Sequence, residues 1–108
     1  MLFELYGAEV RFTLDGAETL RVAESFRPEI VLLDISMPGM SGYDAARAIR
    51  RAAWGANIVL IALTGWGRKS DLEEARKAGF DGHLLKPVDP VSLVRVISDL
   101  RRQRHAAV

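Results

Sequence analysis

The chain predicts an α/β fold built on a doubly wound parallel sheet, and three observations carry that expectation. Short apolar runs alternate with segments of helical period, the pattern of βαβ units. Ile30-Val31-Leu32-Leu33 and Ile58-Val59-Leu60-Ile61-Ala62-Leu63 are apolar at every position, as strands covered on both faces are. These runs, and His83-Leu84-Leu85 after them, lead into Asp34, Thr64 and Lys86, so an acid, a hydroxyl and an amine stand at three strand ends, where parallel sheets place ligands.

The elements follow in order. Leu2, Phe3, Leu5 and Tyr6 are predicted to be the last turns of a helix, ended by Gly7 in the left-handed position that glycine takes without a Cβ penalty. Val10-Arg11-Phe12-Thr13-Leu14 alternates and predicts a strand. Asp15, with Glu18 three residues on, starts a helix that stops before Pro28. Ile30–Leu33 is the next strand, and Asp34 runs into the loop Ser36-Met37-Pro38-Gly39-Met40. Ser41-Gly42-Tyr43-Asp44 and Ser70-Asp71-Leu72-Glu73 repeat the capping device on either side of the strand Ile58–Leu63. His83–Leu85 is the last strand. Asp89-Pro90 then pairs a capping acid with proline at the first helical position, and Leu93, Ile97 and Leu100 make one apolar face. Arg101, Arg102 and Arg104 near the end of that helix complement its dipole and stay solvated. The expected order is a partial helix, then four strands alternating with four helices.

Composition narrows the function classes. The 108 residues, 49% hydrophobic, suit one domain over 1–108 with a single core. A net charge of +1 sets up no strong field toward nucleic acid or a membrane surface. Cysteine is absent, which excludes disulfides and thiolate metal sites and fits a reducing compartment. No apolar stretch approaches the ~20 residues that span a bilayer, and Met1-Leu2-Phe3-Glu4 lacks the basic start of a signal peptide. The expected setting is cytoplasmic.

Three motifs in order carry a resemblance. Ile30 to Gly42, with Asp34 and the loop through Met37-Pro38-Gly39, resembles the phosphoacceptor strand and loop of response regulator receiver domains. Ala62-Leu63-Thr64-Gly65 is similar to that family's switch strand, and Leu85-Lys86-Pro87 to its lysine motif. Ala78-Gly79-Phe80-Asp81-Gly82 and Leu63-Thr64-Gly65-Trp66-Gly67 look most like receivers fused to hybrid histidine kinases. The resemblance spans essentially the whole chain. It implies a flavodoxin-like sheet of order 2-1-3-4-5 in the family's strand numbering, and a phosphorelay function with a histidine kinase or phosphotransfer protein as partner.

It also assigns roles. Asp34 would attack the phosphoryl group of a phosphohistidine and hold it as a mixed anhydride. Such transfer needs neutralised charge and in-line positioning more than covalent help. Lys86 would supply one positive charge, and the Thr64 hydroxyl would bond a phosphoryl oxygen. Gly65 leaves the approach open. His83, three residues before Lys86, stands where the family carries a switch residue that follows the threonine; a half-buried strand histidine without that role is an equal reading. Trp66 and Pro87 belong to the site mouth or partner face. Tyr43 fits that face or helix packing equally. His105 is uninvolved.

One departure concerns the opening. Family members begin with a strand ending in an acidic pair that binds magnesium together with the phosphoacceptor. Met1 has no such strand before it, so Asp34, the Ser36 main-chain carbonyl and water are the ligands left, and magnesium should bind weakly or not at all. Glu9 and Asp15 belong to a later strand and its exit. The chain is therefore expected to be an N-terminally incomplete receiver. With the first strand's slot empty, Val10–Leu14 and Ile30–Leu33 expose unpaired edges. A folded form should then be a strand-exchanged or edge-paired oligomer, or should pair these two strands directly in a rearranged sheet.

Two other function classes stand beside the phosphoacceptor. A haloacid-dehalogenase-like phosphatase also combines Asp, Thr and Lys at strand ends, but it needs a second acid two residues after the nucleophile, where this chain has Ser36. A receiver-like interaction module that docks a partner without chemistry is the stronger rival. The absent acidic pair favours it; Asp34, Thr64 and Lys86 oppose it.

Overall fold

The structure, a computed structural model, describes residues 2–5, 8–13, 16–35, 42–65 and 69–106. Its elements are β1 (Leu2–Leu5), β2 (Ala8–Thr13), α1 (Gly16–Phe26), β3 (Ile30–Asp34), α2 (Gly42–Arg51), a 3-10 turn (Ala53–Gly55), β4 (Val59–Thr64), α3 (Lys69–Ala78), β5 (Gly82–Leu85) and α4 (Pro90–Ala106). The strands make one sheet in chain order, β1-β2-β3-β4-β5. Only β1 is antiparallel to its neighbour; β2 to β5 run parallel, each joined to the next through a helix.

The first element corrects the sequence reading. Leu2-Phe3-Glu4-Leu5 is a strand, not the end of a helix, with Leu2 opposite Arg11 and Leu5 opposite Ala8. So short a segment cannot repay helix nucleation by itself, whereas pairing with β2 bonds its backbone groups directly. Tyr6, Gly7, Leu14 and Asp15 lie outside the described residues.

The strand order is one of the arrangements expected of a sheet without the family's first strand. Among the described residues no strand separates β2 from β3: Val10 stands opposite Ile30 and Thr13 opposite Leu33, so the two strands pair directly. Closing the slot pairs two rows of backbone donors and acceptors that would otherwise face each other across a gap. The cost shows at Arg11. On this now internal strand its guanidinium stacks 4.4 Å from the Phe26 ring centre, and its Nε is buried without a hydrogen-bond partner. An unsatisfied group of that kind costs about 1–3 kcal/mol.

Side chains alternate across the sheet and divide the core in two. On one face Val31, Leu33, Leu60 and Ala62 meet Ala23 of α1, Ala45, Ala46 and Ile49 of α2, and Ala75 and Ala78 of α3. On the other, Val10, Ile30, Leu32, Ile61, Leu63 and Leu84 meet Leu93 and Ile97 of α4. Every residue of β3 and β4 is buried, which is why both runs are apolar without alternation.

Arg50, at the end of α2, ties the far end of the sheet together. Its guanidinium donates to the carbonyls of Gly79 (2.9 Å), Gly55 (3.0 Å) and Ile58 (2.7 Å), and to Asp81 Oδ2 (2.7 Å). Asp81 Oδ2 also accepts from the Leu60 N–H (2.8 Å), and the Asp81 N–H bonds the Leu60 carbonyl (2.8 Å). The entry of β5 is thereby locked onto the start of β4. At the helix ends, Asp89 caps α4 as expected, accepting from the N–H groups of Val91 and Ser92, both at 3.3 Å. Arg101 departs from the solvated reading: it pairs with Glu29 at 2.9 Å and holds α4 to the segment before β3.

Candidate functional site

β3, β4 and β5 end at the same rim of the sheet because their register is level: Asp34 stands opposite Leu63, and Thr64 opposite Leu85. Asp34 is 5% exposed, a carboxylate almost withdrawn from water. Its Oδ2 accepts from Lys86 Nζ at 2.6 Å. The ammonium reaches it from a residue 52 positions later, placed by the backbone bond from the Lys86 N–H to the Thr64 carbonyl (2.9 Å). A second backbone bond, from the Ile35 N–H to the Leu63 carbonyl (3.0 Å), carries the ladder one step past Asp34 and sets where that carboxylate leaves the strand.

Alternation sorts the groups between the two faces. Asp34 follows Leu32 on the α4 side, while Thr64 follows Ala62 on the side of α1 to α3. Thr64 is buried at 3% exposure. His83 and Leu85 share the Thr64 side of the sheet, since Leu84 between them packs on α4. His83 is exposed at the edge of a cleft of about 340 Å³ whose walls include Lys69, Leu72 and Phe80. A second cleft, about 310 Å³, runs past Leu85 and Pro87 to Asp89. Asp34 lines neither of these two clefts, and the ion pair with Lys86 locates the reactive group.

The structure thus brings Asp34 and Lys86 into contact and sets Thr64 beside them through the backbone. A Cβ on Gly65 would meet nothing within 4 Å, which leaves the rim above Thr64 open. Pro87, exposed, follows Lys86 through a cis peptide bond. Ser36 and Trp66 lie outside the described residues, as does the His105 side chain. Tyr43 belongs to helix packing: it is half-buried against the α1–α3 cluster, and its hydroxyl donates to the Asp71 carbonyl at 3.5 Å. Burial, with the charges of Asp71 and Glu74 adding to it, holds that hydroxyl above its ordinary pKa.

The described donors do not make a magnesium site by themselves. Among the described residues no group of three or more histidine, cysteine, aspartate or glutamate side chains could hold a metal ion. Among the described residues Asp34 is the carboxylate at this rim, and Lys86 engages one of its oxygens. Magnesium prefers near-octahedral oxygen ligation, which one carboxylate leaves to water. What the pair can do by itself is present a nucleophilic oxygen beside a fixed positive charge, the elements of charge neutralisation at a transferring phosphoryl group.

The sequence missed Arg50, Arg101 and the Arg11–Phe26 contact. Backbone carbonyls receive most of the Arg50 bonds, and no residue pattern announces them; the left-handed Gly79 was the one available sign.

Comparison with known proteins adds four findings. The response regulator receiver domain family matches residues 1–98. Protein PilH of Pseudomonas aeruginosa is 30% identical over 97 residues, covering 90% of this chain and 80% of its own length. Among solved structures, the receiver domain of the sensor histidine kinase PA1611 of P. aeruginosa, with magnesium coordinated in its active-site cleft, superposes with TM-score 0.69 at 35% identity over 82% of this chain and 70% of its own. The chemotaxis response regulator CheY4 of Vibrio cholerae gives TM-score 0.72 at 27% identity, covering 80% and 72%.

Proposed function

Since the chain belongs to the response regulator receiver domain family and has its flavodoxin-like fold, we propose that it accepts a phosphoryl group on Asp34 from a phosphohistidine of a histidine kinase or phosphotransfer protein. Receiver domains of this family are phosphoacceptors of two-component signalling, and in general signalling modules and not enzymes. The observation that carries the assignment is the 2.6 Å contact of Lys86 Nζ with a carboxylate 5% exposed at the end of a fully buried strand.

In this reading Asp34 attacks phosphorus as the phosphohistidine N–P bond breaks, the imidazole leaves, and Lys86 moves from the carboxylate to a phosphoryl oxygen. Thr64 hydrogen-bonds a second oxygen, and His83, on the same face of the sheet, follows its movement. Gly65, Trp66 and Pro87 form the partner's approach. Residues 1–108 act as one receiver domain, in the cytoplasm, with no turnover beyond self-phosphorylation and autodephosphorylation. The 35% identity to a kinase-borne receiver supports a hybrid-kinase context. Magnesium, with Asp34 and the Ser36 carbonyl as its protein ligands, binds weakly. A second copy of the chain is a further partner, through strand pairing.

Treating the protein with a small acyl phosphate and magnesium and weighing it tests the assignment. The native chain should gain one phosphoryl group and Asp34→Asn none. An unmodified native chain that still binds its kinase would instead support the interaction module, which the lone carboxylate among the described ligands favours. Steady release of phosphate from a phosphate monoester, which the receiver reading does not use as a donor, would support a phosphatase.

A further inference from the structure

α2 begins on a buried glycine. A Cβ at Gly42 would lie 2.8 Å from Ile35 Cγ2 and 3.1 Å from Ile35 Cα, whereas carbon atoms in contact ordinarily stand about 3.5–4.0 Å apart. Rotating the isoleucine side chain relieves the first contact. The second is to backbone and stays. Ile35 directly follows Asp34, so the first turn of α2 closes on the stretch of chain that delivers the reactive carboxylate.

What holds each side decides which would give way. α2 is pinned along its length: Ala45, Ala46 and Ile49 are fully buried under it, the Tyr43 hydroxyl reaches the Asp71 carbonyl, and Arg50 bonds the far end of the sheet. Ile35 lies half-buried just past the end of β3, tied to the sheet by the bond from its N–H to the Leu63 carbonyl. Added bulk at position 42 would therefore move Ile35 and, one peptide bond away, Asp34. We propose that Gly42 is a positioning residue for the Asp34–Lys86 pair: its bare Cα lets α2 close on Ile35 and so holds the carboxylate 2.6 Å from Lys86 Nζ, in place for attack on phosphorus. The inference deepens the phosphoacceptor reading and rests on it for its chemistry. A reacting atom displaced by about 1 Å loses on the order of a hundredfold in rate.

The test compares Gly42→Ala and Gly42→Val with the native chain and with Ala48→Gly, which weakens α2 through helix propensity further along the helix. Circular dichroism checks that each is folded. At saturating acyl phosphate with magnesium, labelling of Asp34 should slow about tenfold in Gly42→Ala and about a hundredfold in Gly42→Val, with KM for the acyl phosphate nearly unchanged and Ala48→Gly close to native. Adding Ile35→Ala to Gly42→Ala removes the Cγ2 that the new methyl meets, and should recover part of the lost rate. A second readout needs no phosphorylation: acylation of Lys86 by acetic anhydride, measured against Lys69 and Lys77 of the same chain. Displacing the carboxylate releases the ammonium, so the Lys86 ratio should rise from Gly42→Ala to Gly42→Val toward that of Asp34→Ala. If Gly42→Val does not fold, Gly42→Ala and its combination with Ile35→Ala carry both measurements. Labelling of folded Gly42→Ala at the native rate, an equal loss in Ala48→Gly, or an unchanged Lys86 ratio would overturn the proposal. A native chain that takes no phosphoryl group would overturn the phosphoacceptor reading instead, and the Lys86 ratio then decides whether Gly42 sets the pair.

Discussion

Lys86 and Asp34 are unequal partners in their contact: the carboxylate is 5% exposed and the lysine side chain 36%. Lys86→Met should therefore cost stability, about 1–3 kcal/mol in denaturant titration, because a buried carboxylate loses its cation. Asp34→Asn should cost less, since the amide still accepts from the ammonium. A larger loss for Asp34→Asn would place the strain on the lysine side. Gly79 is a second single-residue prediction. Its φ is +112°, and an added Cβ would lie 2.6 Å from Arg50 Cγ. Gly79→Ala combines backbone strain with displacement of the arginine, and unfolding should become easier by roughly 2 kcal/mol or more. Arg27 shows the converse, a non-glycine residue at φ 45° just past α1. Arg27→Gly should raise stability by about 0.5–1 kcal/mol, against the loss of a contact 6.0 Å from the Trp54 ring.

Among the elements, β3, β4 and β5 were legible because buried parallel strands leave unbroken apolar runs, and their chemistry was legible because Asp34, Thr64 and Lys86 follow those runs at once. Leu2–Leu5 was not: an apolar residue at i and i+3 before a glycine satisfies a helix as well as a strand, and only pairing with β2 decides. The 3-10 turn at Ala53–Gly55 had no capping signal to read. Strand order was likewise beyond local pattern, being settled by which edges close. For α4 the cap makes a pH prediction. The Ser92 side-chain hydrogen bond, then the Val91 N–H, hold the Asp89 carboxyl below its ordinary 3.8. The depressed value contributes stability that is complete above the unfolded pKa and lost as pH falls through the folded one. The start of α4 should therefore loosen only in acid, below about pH 4. Asp89→Asn, which still caps, should flatten that part of the acid limb in circular dichroism. An unchanged limb would assign it to other carboxylates.

At the scale of the molecule, both core clusters hang on the same strands, so neither can melt without the other. Leu33→Ala on the α1–α3 face and Leu32→Ala on the α4 face should each cost about 2–5 kcal/mol and move one common transition. Two resolved transitions in either variant would separate the faces. The faces are unequally roofed, three helices against one, and amide hydrogen exchange should register it. A helix among α1, α2 and α3 can lift while its neighbours still shelter the sheet, so its amides exchange through local openings. Among the described residues α4 has no such neighbour on its face. Lifting it floods Leu32, Ile61 and Leu63 together, so the amides around Leu93 and Ile97 should exchange only when the whole chain opens, and their rates would report the global stability of the protein.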